Sequence, residues 1–224
     1  MNKYEIVQKI EKFAPLETQE KWDCSGWVVE LDEIEVNKIM FCLTVTDDIL
    51  KQAKDTMCDM IISHHPLFFV PFSYSNINIY CAHTNLDKAE GGTTDTLIEK
   101  LGFKKTRNIG EFVRIVDLSE PIKIEDLKEI LLKISPNLRY INNCKVSKIK
   151  SIAFCAGSGS EFIDKTNTQA FITGDLKFHT ALDAKQVIFD IGHFESEIFA
   201  PKILKNITQV NQKGVIANEK SPFI

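Results

Sequence analysis

The chain has 224 residues, of which 44% are hydrophobic and 26% charged, with a net charge of -4 and a pI near 5.8. This composition excludes overall disorder, and the slight acidity argues against a broad nucleic-acid-binding surface. The opening MNKYEIVQKIEKFAPL lacks the apolar core of a signal peptide, and no stretch nears the roughly 20 apolar residues that cross a bilayer, so a cytoplasmic protein without membrane contact is expected.

Ile6, Val7, Ile10 and Phe13 recur at the spacing of one helix face, and Asn2 with Glu5 resembles a capping box, which predicts a helix over residues 3–13. Short, nearly all-apolar runs follow at KIMFCLTV, DMIIS and NIYCAH and read as strands buried on both faces, with DDILKQAKD and TTDTLIEKLG as helices. EFVRIVDL reads as a strand and residues 124–134 as a capped helix. The stretch SPNLRYINNCKV reads as loop or short edge strand. A second series follows: strands KSIAFCAG, QAFITG and KQVIFDIG, with DLKFHTALDA as a helix. The alternation predicts an α/β fold of mostly parallel strands flanked by helices. The two series are expected to span residues 1–118, completed by 206–224, and residues 119–205. The cysteines at 24, 42, 58, 81, 144 and 155 show no short paired spacing, and Cys42, Cys58, Cys81 and Cys155 lie in or beside apolar runs, as small core residues do.

The two series resemble each other. In the first, strand DMIIS runs into His64 and His65, and strand NIYCA runs into His83 with Asp87 four residues on. In the second, strand AFIT runs into Gly174 and Asp175, and strand VIFDIG reaches His193 with Glu197 four residues on. All five histidines, His179 included, are placed at or just beyond strand ends, where open α/β sheets bind ligands. Imidazole and carboxylate donors without cysteine suit Zn, Fe, Mn, Co or Ni rather than a thiolate zinc site. His193 and Glu197 share a helix face if a helix starts after Gly192, and the tandem His64-His65 pair can point two ways. Together His64, His65, Asp87, His193 and Glu197 are enough donors for two ions about 3.5–4 Å apart, whereas one ion needs three or four.

Weaker candidates surround this set. Asp175 and His179 are spaced as a second acid–imidazole pair, although Asp175 also suits a helix cap. Glu195, His83 and His179 are the candidates for acid–base or supporting roles. Gly157-Ser158-Gly159-Ser160 could cradle a phosphate on its amides. Ser63, Thr84 and Thr94 lack a nucleophile elbow, so no covalent catalyst is expected.

The segments ISHHPLFF, YCAHTNLD followed by GGTTDTL, ITGDLKFH and GHFESE together resemble the Ngg-one-interacting-factor-three-like family, whose bacterial members carry the name GTP cyclohydrolase I type 2 homologue. WDCSGW resembles that family's N-terminal W-D-N-x-G-L segment, with Cys24 and Trp27 in place of Asn and Leu, and Val29-Glu30 in place of Val-Gly. The resemblance implies a two-lobed α/β fold, one lobe for each series, and a metal site for two divalent ions in the cleft between the lobes, with ligands at His64, His65, Asp87, His193 and Glu197 and with His83 close by. It also implies a homohexamer built as a toroidal trimer of dimers. The function expected is a metal-dependent hydrolase acting on a small-molecule substrate, a nucleotide or another phosphorylated or heterocyclic compound. The alternative is a metal carrier, insertion factor or interaction scaffold without turnover.

Overall fold

Asn2 caps the first helix, α1 (Lys3–Phe13), by accepting from the Tyr4 amide, and the Ile6, Val7 and Ile10 stripe is buried. The computed structural model describes residues 1–223. After β1 (Gly26–Val29) come β2 (Ile39–Cys42), β3 (Met60–Ser63) and β4 (Asn78–Cys81), in which every residue is buried. Strands covered on both faces are what continuous apolar runs build. Each fully buried Ile or Phe contributes about 1.5–3 kcal/mol. Helix α2 (Asp47–Asp55) joins β2 to β3 and is capped by Thr46, whose hydroxyl accepts from the Ile49 amide. β4 leads into the short α3 (Thr84–Lys88).

The next elements are α4 (Thr93–Lys100), β5 (Arg107–Ile109), β6 (Val113–Lys123) and α5 (Ile124–Leu132). They are followed by β7 (Arg139–Ile141), β8 (Lys148–Ser158), β9 (Ala170–Gly174), α6 (Phe178–Leu182), β10 (Val187–Asp190) and α7 (His193–Glu197). Their strands form a sheet of order β5-β6-β8-β9-β10-β7. Only β8, β9 and β10 run parallel, while β5-β6, β6-β8 and β10-β7 are antiparallel. The expectation of mostly parallel strands is corrected for this sheet, in which three of the five pairings are antiparallel. β6 is buried over Val113–Val116, with Arg114 held by Asp95, and largely exposed from Asp117 on. SPNLRYINNCKV supplies an edge strand, β7. Helix α5 has no side-chain cap, although Glu125 and Asp126 place negative charge in its first turn. α6 is shorter than its sequence suggests because Asp175 adopts φ +53° and Lys177 is extended.

The chain closes with α8 (Ala200–Thr208) and β11 (Gly214–Ile216). β11 adds in parallel to β2, completing a first sheet of order β1-β4-β3-β2-β11, with β1 its antiparallel member. Two compact units result: Met1–Gly92 together with the chain from Phe199 onward, and Thr93–Ile198. The expected boundary at 118/119 falls inside β6 and that at 205/206 inside α8. Residues 93–118 join the second unit because α4 packs on β6, β8 and α7. The fold is mixed α/β, two sheets flanked by helices. Among the described residues no helix is long and apolar enough to cross a membrane.

Candidate metal centre

In the first unit the candidate donors stand at the carboxyl ends of neighbouring parallel strands. His64 and His65 follow β3, and His83 follows β4 and precedes α3. The Asp87 amide donates to the His83 carbonyl (3.1 Å), so one turn of helix stacks Asp87 over His83. The rings of His64, His65 and His83 lie 5.2–5.8 Å apart, centroid to centroid. His64 Nε2 is 3.4 Å from Asp87 Oδ1, and His64, His83 and Asp87 each offer a donor atom within 4.8 Å of the others.

Each of these rings is oriented through Nδ1. His64 Nδ1 donates to the Ala82 carbonyl (2.9 Å), His83 Nδ1 to Asp23 Oδ1 (3.0 Å), and His65 Nδ1 meets Thr44 Oγ1 (2.7 Å). A carbonyl or carboxylate only accepts, so in neutral His64 and His83 the proton sits on Nδ1 and Nε2 carries the lone pair a cation would use. This is the outer-shell arrangement that orients metal-binding imidazoles. Thr44 is itself fixed from behind, since Glu219 accepts from the Leu43 amide (2.6 Å) and the Thr44 amide (3.1 Å).

The second unit repeats the pattern at the carboxyl ends of β8, β9 and β10. His193 opens α7, and its Nε2 lies 2.9 Å from Glu197 Oε2 one turn on. Its Nδ1 donates to Asp175 Oδ2 (2.6 Å). Asp175 therefore orients His193 and does not cap α6. Burial alone would lower the His193 pKa, but the Glu197 and Asp175 carboxylates outweigh it and raise it from 6.5 to about 10. A cation binding at Nε2 must displace that proton, so uptake weakens as pH falls. Glu197 is buried under Gly157, whose missing side chain leaves room for its carboxylate.

The weaker candidates stand around these donors. His179 sits exposed on α6, edge-on to Phe178 rather than paired with Asp175. Glu195 folds back over Gly192. The Gly157 and Gly159 amides are taken by Ser196 Oγ and Thr173 Oγ1, and Ser160 begins a 3-10 turn, so this stretch is not a phosphate cradle.

Residues 1–221 match the family described as Duf34/NIF3 (NGG1p interacting factor 3). The chain belongs to this family. It is 32% identical to a protein of Clostridium perfringens named GTP cyclohydrolase 1 type 2 homolog, covering 93% of this chain and 91% of that one. A protein of the same name from Campylobacter jejuni is 31% identical, with 98% and 97% covered. The crystal structure of a Bacillus cereus protein related to NIF3 superposes with a TM-score of 0.86 at 18% identity, over 100% of this chain and 99% of that chain, which shows a shared fold.

Within this NIF3-family chain, sequence reasoning missed Asp23, Thr44 and Ser196. The buried Asp23 carboxylate accepts from His83 Nδ1, the Thr84 amide (3.0 Å), the Thr84 hydroxyl, Ser25 Oγ (3.1 Å) and its own neighbour's amide at Cys24 (2.7 Å). Burial by itself would raise its pKa, but the hydrogen bonds from His83 and Thr84 outweigh that and hold it well below the ordinary 3.8. A depressed carboxyl contributes stability above its unfolded pKa that is lost as pH falls through the folded one. Asp23→Asn should cost about 2 kcal/mol at pH 7, and the gap to the unsubstituted protein should narrow below pH 3.8. Chemical denaturation across pH measures this, and a gap that persists undiminished in acid would contradict it.

Proposed function

We propose that the protein is a hydrolase that uses two divalent metal ions, Zn, Fe, Mn, Co or Ni, held by His64, His65, Asp87, His193 and Glu197. Its substrate is a nucleotide or another small phosphorylated or heterocyclic compound. The observation that carries this reading is the shared orientation of four imidazoles. His64, His65, His83 and His193 each have Nδ1 engaged, with carboxylates at Asp87 and Glu197 beside them. The nitrogen and oxygen donor set fits such ions. Divalent ions supply, when bound, the Lewis acidity that polarises a scissile bond and makes water acidic enough to attack near neutral pH. His83, held by Asp23, is the side chain best placed to move a proton at Nε2. Glu195 and His179 are the remaining acid–base candidates, in peripheral roles. The names of the bacterial relatives accord with nucleotide chemistry.

The test is metal analysis after reloading, followed by a hydrolysis screen of nucleotides and phosphoesters against the loaded protein and His64→Ala. One to two ions per chain and turnover lost in His64→Ala are expected. Fewer than about half an ion per chain would end the metal reading, and full loading without turnover would favour a carrier or scaffold. Binding to the folded state alone stabilises it by about 2.7 kcal/mol at 100 times the dissociation constant, so chelation should lower the melting temperature by several degrees. An unchanged melting temperature at pH 7.5 would count against occupancy.

The proposed assembly is a cytoplasmic homohexamer, a toroidal trimer of dimers. Phe68, Phe69 and Phe72 are 70%, 80% and 91% exposed within five residues, a surface suited to burial against another copy. Replacing all three with serine should yield a smaller species in sedimentation velocity, and an unchanged coefficient would exclude this surface from the assembly.

A further inference from the structure

Residues 22–25 have a feature that holding His83 does not explain. The Trp22 indole is 61% exposed, and its ring centroid lies 5.9 Å from that of His83 at an interplanar angle of 74°. Trp27, five residues on, instead packs edge-on against Tyr4 and Tyr80. The backbone carrying Trp22 is fixed. The Asp23 amide donates to the Glu20 carbonyl (3.0 Å), the Ser25 amide to Gln19 Oε1 (2.9 Å), and Ser25 Oγ accepts from the His83 amide (3.1 Å). The buried Asp23 carboxylate gathers five donors immediately beneath it. A large aromatic ring is thus held out in solvent by a rigid loop, beside the cluster of imidazoles.

An indole face offers area and π-electron density at low entropic cost, and planar rings stack on it whatever their substituents. We propose that Trp22 is a substrate-stacking platform that selects a planar nitrogen heterocycle of nucleobase type and seats it beside His83. The inference rests on the proposed hydrolase for the identity of the site, and it narrows the substrate class to compounds recognised by their ring rather than by their phosphate.

Binding to the metal-loaded full chain is read without turnover, by tryptophan fluorescence and calorimetry, with GTP, inorganic triphosphate and ribose 5-phosphate as probes. GTP should quench the emission of the unsubstituted protein. Trp22→Ala should bind GTP about tenfold or more weakly, while Trp22→Phe, which keeps a ring, should stay within about threefold. The two probes without a base should bind all three proteins alike. Metal content should be the same in all three, since Trp22 donates nothing to an ion. GTP affinity unchanged in Trp22→Ala would overturn the proposal, as would a loss in Trp22→Phe equal to that in Trp22→Ala, or triphosphate binding as tightly as GTP. Ring binding that depends on Trp22 in a protein that takes up no metal would support the platform and sink the hydrolase.

Discussion

Gly157→Ala is expected to lose at least one of the two proposed ions while the metal-free fold loses only about 1–2 kcal/mol. Gly157 has φ +64°, a left-handed conformation that costs an L-residue roughly that amount. A Cβ there would stand 2.1 Å from Glu197 Oε1 and 3.6 Å from His193 Cε1. The carboxylate is the end of a flexible side chain and can swing away, so the steric conflict is relieved by moving the proposed ligand rather than by unfolding the sheet. Glu197→Gln should reproduce the loss from the side-chain end, whereas Glu195→Gln, which alters a carboxylate turned back over Gly192, should keep both ions. Elemental analysis of the three variants beside chelator-treated melting curves measures this. Full loading of Gly157→Ala would remove Glu197 from the ligand set.

Gly92→Ala should be the most damaging single methyl addition in the chain. Its Cβ would lie 2.0 Å from the Leu86 carbonyl oxygen and 2.9 Å from that of Ala89, and both are backbone atoms of the turn that ends α3. Neither can rotate aside, so α3 itself must shift, and Asp87 with it. A cost of about 3 kcal/mol or more is expected, which for a chain of this size is roughly 6–12 °C of melting temperature. Gly102 is the control. It has φ +80° but nothing within 4 Å of an added Cβ, so Gly102→Ala carries only the backbone cost of about 1–2 kcal/mol. Equal melting temperatures for the two variants would show that the turn after α3 yields more easily than its geometry implies.

The contrast between His83 and Asp23 shows what the sequence makes legible. His64, His65, His83 and His193 follow short apolar strands, and a strand's carboxyl end is readable from its run of β-branched residues and the polar residue that stops it. Asp87 and Glu197 are readable through their four-residue offsets. Asp23 meets His83 across 60 residues, and Thr44 meets His65 across 21, through turns whose geometry no periodicity encodes. Asp175 was visible, but its left-handed backbone turns it from the cap its position suggests into the partner of His193. The mixed character of the second sheet was hidden because only the apolar first part of β6 advertises a strand. GSGS illustrates the opposite failure, in which a common phosphate signature forms while its amides are already spoken for.

The first unit is discontinuous in the chain, and this bears on how the protein is made. β2 is hydrophobic throughout, yet its neighbour β11 and the buried face of α8 lie far downstream, and Glu219 is 175 residues from the Thr44 it holds. At synthesis rates of about 5–20 residues per second, the open edge of β2 is exposed for roughly 10–30 seconds before its partner leaves the ribosome. The second unit, translated in between, is continuous and can mature first. The nascent chain therefore passes through a stage in which one half is finished and the other offers a bare apolar strand. That is the interval in which chaperone capture or aggregation competes with native closure.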